Sequence, residues 1–337
     1  HPRPAPRRAG HLLAGSNFKD DQKKVTGGRN GYGAKLANIF STEFTVETAS
    51  SGSGSRYKQV WKDNMLICGK PSIKDNAKGE DWTKISFVPD LAKFGMETLD
   101  DDIAALMTRR VYDLAGCTPP SVKVHLNGTK LKVDNFQKYV ELYVGPKLGG
   151  APRIFEKCGE RWEVCVAASD DGFQQVSFVN SIATSSKEGG THVKHVTDQV
   201  IAKVRETLKK KHKATEKVVK DNQIQSYVKI FVNCLIENPA FSSQTKEKMT
   251  LAPGKDCKKF GSSCDLSEKF FKEAVNGCGI LEKVLARGME QHNKTLAKTD
   301  GKKKARLTGV AKLDDANEAG GKNGYKCTLI ITEGDSA

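Results

Sequence analysis

The sequence predicts an α+β protein with two core-forming domains, on three observations. Apolar and polar residues alternate with a period of two in three stretches of the first hundred positions. Further along, apolar residues recur at helical spacing, and strand-like and helix-like stretches interleave. The length of 337 residues suits two cores, because single hydrophobic cores stop growing at roughly 250–300 residues.

Each element follows from its local pattern. Glu43–Thr48, Tyr57–Trp61 and Lys84–Val88 alternate as half-buried antiparallel strands do, with a flexible turn at Ser50–Ser55 and a loop at Gly69–Ser72. From Thr98 to Ala115 the residues Leu99, Ile103, Leu106, Met107, Val111 and Leu114 keep helical spacing. Asp100 to Asp102 sit at the favourable end of that helix, which is expected to join the two domains. Strands are expected around Val122–Leu126, Trp162–Ala167, Gln174–Val179 and Tyr227–Leu235, and helices at Phe136–Tyr143, Val193–Lys211, Ser267–Val275 and Ile280–Glu290. Lys294–Lys312 is rich in lysine and poor in large apolar residues, which reads as a linker. Thr328–Thr332 then has the pattern of a buried strand, and residues 1–11 read as a disordered leader.

Composition narrows the function. No run approaches the ~18 apolar residues of a membrane span, so no membrane association is expected. The nine cysteines form no Cys-x-x-Cys pair, and many lie in apolar runs, as small buried hydrophobes in a reducing compartment do. A net charge of +15 makes a surface that attracts polyanions, nucleic acid above all.

Three strings carry chemistry. In Thr26–Leu36, glycines at 28, 31 and 33 let backbone N–H groups approach phosphate oxygens, a helix starts near Gly33, and Lys35 adds a cation. The bland alternative is a tight turn needing glycine. Gln244-Thr245-Lys246 reads in isolation as a solvated loop, and Lys209-Lys210-Lys211 as the solvated end of an amphipathic helix.

The wording Gly-Arg-Asn-Gly-Tyr-Gly-Ala-Lys at 28–35 resembles the glycine-rich lid of the ATPase superfamily of gyrase, heat-shock chaperones, histidine kinases and mismatch-repair proteins. More closely, it is similar to eukaryotic-type DNA topoisomerase II, and the resemblance covers nearly everything from Leu12 onward. It implies a partial ATPase α/β sandwich over 12–97 and a transducer domain of the ribosomal-protein-S5-like fold over 98–293. A linker at 294–325 and the start of a metal-binding Toprim domain at 326–337 complete the order. It also implies ATP contacts from Gly28, Arg29, Asn30, Gly31, Tyr32, Gly33, Ala34 and Lys35, with Gly15, Ser16 and Asn17 beside the ribose and base. Gly15 stands where the family usually has Ser, so its contact is a backbone one.

By the same resemblance, Gln244, Thr245 and Lys246 form the switch loop that reaches the nucleotide, with Lys246 as the catalytic cation and Gln244 as its hydrogen-bonding companion. Charge develops on the γ-phosphoryl group during transfer, and a preplaced lysine stabilises it. Lys209, Lys210 and Lys211 would line a cavity for double-stranded DNA, where phosphate neutralisation needs only cations. Glu333, in Glu333-Gly334-Asp335-Ser336-Ala337, would be one ligand of Mg²⁺. The whole enzyme would be a nuclear homodimer that passes one duplex through a transient break in another. The family's general-base Glu and DNA-cleaving Tyr find no match in this chain, so the isolated segment is expected to be inactive. The alternative is a DNA-binding or dimerisation module derived from such an enzyme.

Overall fold

In the computed structural model, residues 22–28, 31–187, 189–300, 316 and 318–331 are described. A short helix, α1 (Gly33–Ile39), leads into β1 (Ser41–Ser50). Four more strands follow: β2 (Ser55–Lys62), β3 (Ile67–Cys68), β4 (Ser72–Asp75) and β5 (Trp82–Pro89). They form an antiparallel sheet in the order β3-β2-β1-β5, with β4 also paired to β2. Alternation explains its two faces. Phe44 stands opposite Trp61 and Phe87, and Val46 opposite Ile85, so the apolar residues share one side. Phe44, Val46 and Trp61 are buried there, while Ile85 and Phe87 on β5 stay about half exposed. On the other side Glu47 pairs with Lys58 at 3.2 Å and Lys84 at 3.7 Å, and Glu43 pairs with Lys62 at 3.3 Å. Such exposed pairs contribute about 0–1 kcal/mol each, so they favour the register more than they stabilise the sheet.

Helix α2 (Asp101–Cys117) starts where the acidic run suggested, with the Asp100 carboxylate accepting from the Ile103 N–H at 2.8 Å. Its C-terminal end packs Ala115 and Cys117 against Phe136, Tyr139 and Val140 of α3 (Phe136–Val144). Leu106, Met107 and Leu114 of the same helix remain exposed. Between the two helices the expected strand at Val122–Leu126 shrinks to a hairpin of β6 (His125–Leu126) and β7 (Thr129–Lys130). Its turn is Asn127-Gly128, both at positive φ, the pairing favoured by two-residue hairpins.

The second sheet comprises β8 (Arg153–Cys158), β9 (Trp162–Ala168), β10 (Gln174–Val179), β11 (Ile182–Ala183) and β12 (Val228–Cys234). Their order is β11-β10-β12-β9-β8, with β10 and β12 parallel. A parallel pair needs a crossover, supplied here by α4 (Thr191–Lys211), α5 (Lys213–Val218) and α6 (Asp221–Gln225). Both faces of the sheet are covered, which is why β9 and β12 read as almost unbroken apolar runs. Val164, Val166, Ile230 and Val232 face the α4 stripe Val196, Val200, Val204 and Leu208, joined by α7 (Glu268–Gly277) and α8 (Ile280–Asp300). Cys165, Ala167, Phe178 and Phe231 face α3.

Two expectations differ from the structure. Helix α8 continues ten residues past Glu290 into the lysine-rich stretch assigned to a linker, because Lys, Leu and Ala favour helix. Thr328–Ile331 is neither strand nor buried, with Leu329, Ile330 and Ile331 about four-fifths exposed. A strand needs a hydrogen-bonding neighbour, and among the described residues none pairs with this run.

Candidate nucleotide-binding site

The Gln244-Thr245-Lys246 motif sits at the tip of a narrow hairpin. Thr250 N–H donates to the Ala240 carbonyl at 2.8 Å and Ser242 N–H to the Lys248 carbonyl at 3.0 Å, with Phe241 bridged to Met249 between them. The tip is turned by Lys246 itself, whose N–H donates to the Ser243 carbonyl at 3.1 Å while its backbone takes the left-handed φ of 60°. Ser243 Oγ and Thr245 Oγ1 are hydrogen-bonded at 2.7 Å across the turn. A left-handed conformation at a non-glycine residue costs of order 1–3 kcal/mol and tends to mark functional positions. The Lys246 side chain is only partly exposed, and loss of solvent pulls its pKa below that of an ordinary lysine. Among the described residues no carboxylate pairs with its ammonium. A strained, partly desolvated cation without a counter-charge is suited to meeting an anion.

The hairpin base is fastened to the start of α4. Met249 N–H donates to the Gly189 carbonyl at 3.2 Å, Thr191 N–H to the Met249 carbonyl at 3.1 Å, and Thr191 Oγ1 to the Leu251 carbonyl at 2.6 Å. Gly190 allows this approach, since its φ is 152° and a Cβ there would come within 2.6 Å of the Met249 carbonyl oxygen. Sequence reasoning missed this anchor; the Gly189-Gly190 pair just ahead of the helix was its visible trace.

Of the glycine-rich string, Gly28, Gly31, Tyr32, Gly33, Ala34 and Lys35 are described, whereas Gly15, Ser16, Asn17, Arg29 and Asn30 lie outside the described residues. Helix α1 begins at Gly33, as expected, and Gly31 takes a positive φ of 65°. Lys35 is 1% exposed, and its Nζ donates to the Gly31 carbonyl at 3.0 Å, so the cation tethers the loop one helical turn ahead of it. The run entering this loop is tied to the run entering the hairpin. Lys24 N–H donates to Asn238 Oδ1 at 3.3 Å, Asn238 N–H donates to the Lys24 carbonyl at 2.9 Å, and Lys23 pairs with Glu237 at 3.8 Å. Gly27 lies directly against the Ile182 side chain. The approaches to two motifs more than two hundred positions apart are thus hydrogen-bonded to each other.

Lys209, Lys210 and Lys211 close the far end of α4 and are all exposed. Lys210 is already engaged by Glu206 at 2.5 Å, and the neighbouring Lys210 and Lys203 hold the Glu206 carboxyl down to about 2. Twenty-one residues of helix at ~1.5 Å each put the lysines roughly 30 Å from the hairpin base. Glu333 lies outside the described residues, among which no group of three or more potential metal ligands occurs. No helix among them is long and apolar enough to cross a membrane.

These features have counterparts in known proteins. The family pattern described as DNA gyrase B matches residues 135–302. The ATPase region of Saccharomyces cerevisiae topoisomerase II superimposes with a TM-score of 0.75 at 48% identity, covering 84% of this chain and 71% of that one. For the ATPase and transducer domains of DNA topoisomerase II from Balamuthia mandrillaris the TM-score is 0.79 at 41% identity, covering 86% and 72%. The chain belongs to the type II DNA topoisomerase family. Among longer topoisomerases it is 54% identical over 332 residues to DNA topoisomerase 2 of Bombyx mori, covering 97% of this chain and 21% of that protein. It is also 54% identical over 336 residues to human DNA topoisomerase 2-alpha, again covering 97% and 21%. The chain therefore spans about a fifth of the length of these topoisomerases. The α+β fold expected from the sequence is that of the topoisomerase II ATPase and transducer regions.

Proposed function

We propose that this segment belongs to an ATP-dependent type II topoisomerase, where it holds the phosphates of ATP between the 28–35 loop and the Lys246 hairpin and relays nucleotide state toward DNA. The observation that carries this reading is the Lys24–Asn238 pairing, which brings the approaches to both motifs side by side. Backbone N–H groups of the glycine loop would take the phosphate oxygens, Gln244 would donate to the terminal one, and Lys246 would offset its charge. Gly15, Ser16 and Asn17 would lie beside ribose and base, with Arg29, Asn30, Tyr32 and Ala34 completing the lid.

In this reading the residues up to about 97 complete an ATPase domain, 98–293 form the transducer, 294–325 a connection, and 326–337 begin the Toprim domain. There Glu333 would take part in holding Mg²⁺. Residues Lys209, Lys210 and Lys211 would contact duplex phosphates without reading sequence. The whole protein would act as a nuclear homodimer, passing one duplex through a transient break in another, as chromosome segregation requires.

Nucleotide held by both units must favour a closed arrangement in proportion to its differential affinity for it. In the full-length protein, distance probes on the two sheets should approach on adding a non-hydrolysable ATP analogue and approach less with ADP. Equal closure by the two ligands would remove the basis for the proposal.

A further inference from the structure

Cys158 and Cys264 are more than a hundred positions apart, yet Cys158 packs against the buried cluster that holds Cys264. Cys158 is the last residue of β8 and partly exposed, whereas Cys264, in the segment leading into α7, is fully buried. Cys158 Sγ also lies 3.6 Å from Glu156 Oε1 and 3.8 Å from the Asp265 carbonyl oxygen. Both backbones are held in place. Gln199 Nε2 donates to the Cys264 carbonyl at 2.8 Å, Trp162 Nε1 to Ser262 Oγ at 3.0 Å, and Ser267 N–H to Glu156 Oε1 at 2.8 Å.

We propose that Cys158 and Cys264 are a redox-modification site, at which a hydroperoxide converts the thiol pair into a disulfide tying the end of β8 to the segment behind the Lys246 hairpin. The partly exposed Cys158 meets the oxidant first. Its sulfur takes one peroxide oxygen, forming a sulfenic acid and releasing water when the peroxide is H₂O₂. Cys264 sulfur then attacks Cys158 sulfur, the S–S bond forms, and the sulfenic oxygen leaves as a second water. Two thiols lose two electrons and two protons, and the peroxide is reduced to two waters. Hydrogen bonding with Cys264 keeps the Cys158 thiol below the usual range, which favours the nucleophilic thiolate, although Glu156 opposes this. A cellular thiol reverses the bond by exchange.

The test is hydrogen peroxide treatment of the folded 337-residue chain, followed by alkylation and peptide mapping by mass spectrometry. The chain should lose two of its nine thiols, yield a peptide linking Cys158 to Cys264, and melt at a higher temperature, all reversed by dithiothreitol. Cys158→Ser should show no peroxide-dependent rise in melting temperature. A map showing Cys158 sulfinic acid without a cross-link, a bond from Cys264 to the neighbouring Cys234, or an undiminished rise in Cys158→Ser would overturn the proposal. If the variant does not fold, the map of the unaltered chain decides.

Discussion

Acid should loosen the hairpin anchor through His192. This residue is fully buried at the second position of α4, and neither ring nitrogen has a hydrogen-bond partner among the described residues. Burial alone pushes its pKa from 6.5 down to about 3. The unfolded chain therefore takes up a proton near pH 6.5, while the folded chain resists until about pH 3. This contribution to folding is complete above the unfolded value and drains away as pH falls through the interval. At about 1.4 kcal/mol per tenfold in proton concentration, the interval is worth roughly 5 kcal/mol, of which roughly 3 kcal/mol is gone by about pH 4.5. Denaturant titrations at about pH 7 and 4.5 should show His192→Leu losing roughly 3 kcal/mol less than the unaltered chain. Among the described residues the leucine breaks no hydrogen bond, and carboxylate titration is common to both proteins. Equal acid losses would refute the reasoning.

Two further outcomes follow from the geometry. Gly190→Ala places a Cβ within 2.6 Å of the Met249 carbonyl oxygen at a φ of 152°, and should cost about 2 kcal/mol or more in thermal or denaturant unfolding. Lys209→Ala and Lys211→Ala should each lower the salt slope of duplex binding by roughly one unit for any sequence, with less change for Lys210→Ala because Glu206 already holds it.

Elements with a buried stripe were legible in the sequence. The alternation in Glu43–Thr48 and the four-residue spacing of Val196, Val200, Val204 and Leu208 each specify one face, and the structure buries that face. Strand β8 was not legible, because Arg153-Ile-Phe-Glu-Lys-Cys at the sheet edge is only partly buried and its alternation is weak. Thr328–Ile331 looked like a strand because a strand pattern records preference, not the presence of a neighbour. The glycine loop and the Gln-Thr-Lys tip were legible as words. The pairing of the runs that lead into them was not, since it rests on Lys24 bonding to Asn238 across 214 positions, and no local pattern encodes that contact. His192 was equally silent, for its importance lies in what it fails to contact.

The central claim is that Lys246 senses the terminal phosphate, and the ratio of affinities for a non-hydrolysable ATP analogue and for ADP tests it most directly. A charge-assisted hydrogen bond is worth about 1.5–3 kcal/mol, or roughly ten- to a hundredfold in binding. In the full-length protein Lys246→Ala should therefore reduce the preference for the analogue by at least about tenfold while leaving ADP affinity within about twofold. An unchanged preference, or loss of ADP binding together with that of the analogue, would contradict the assignment of the hairpin tip.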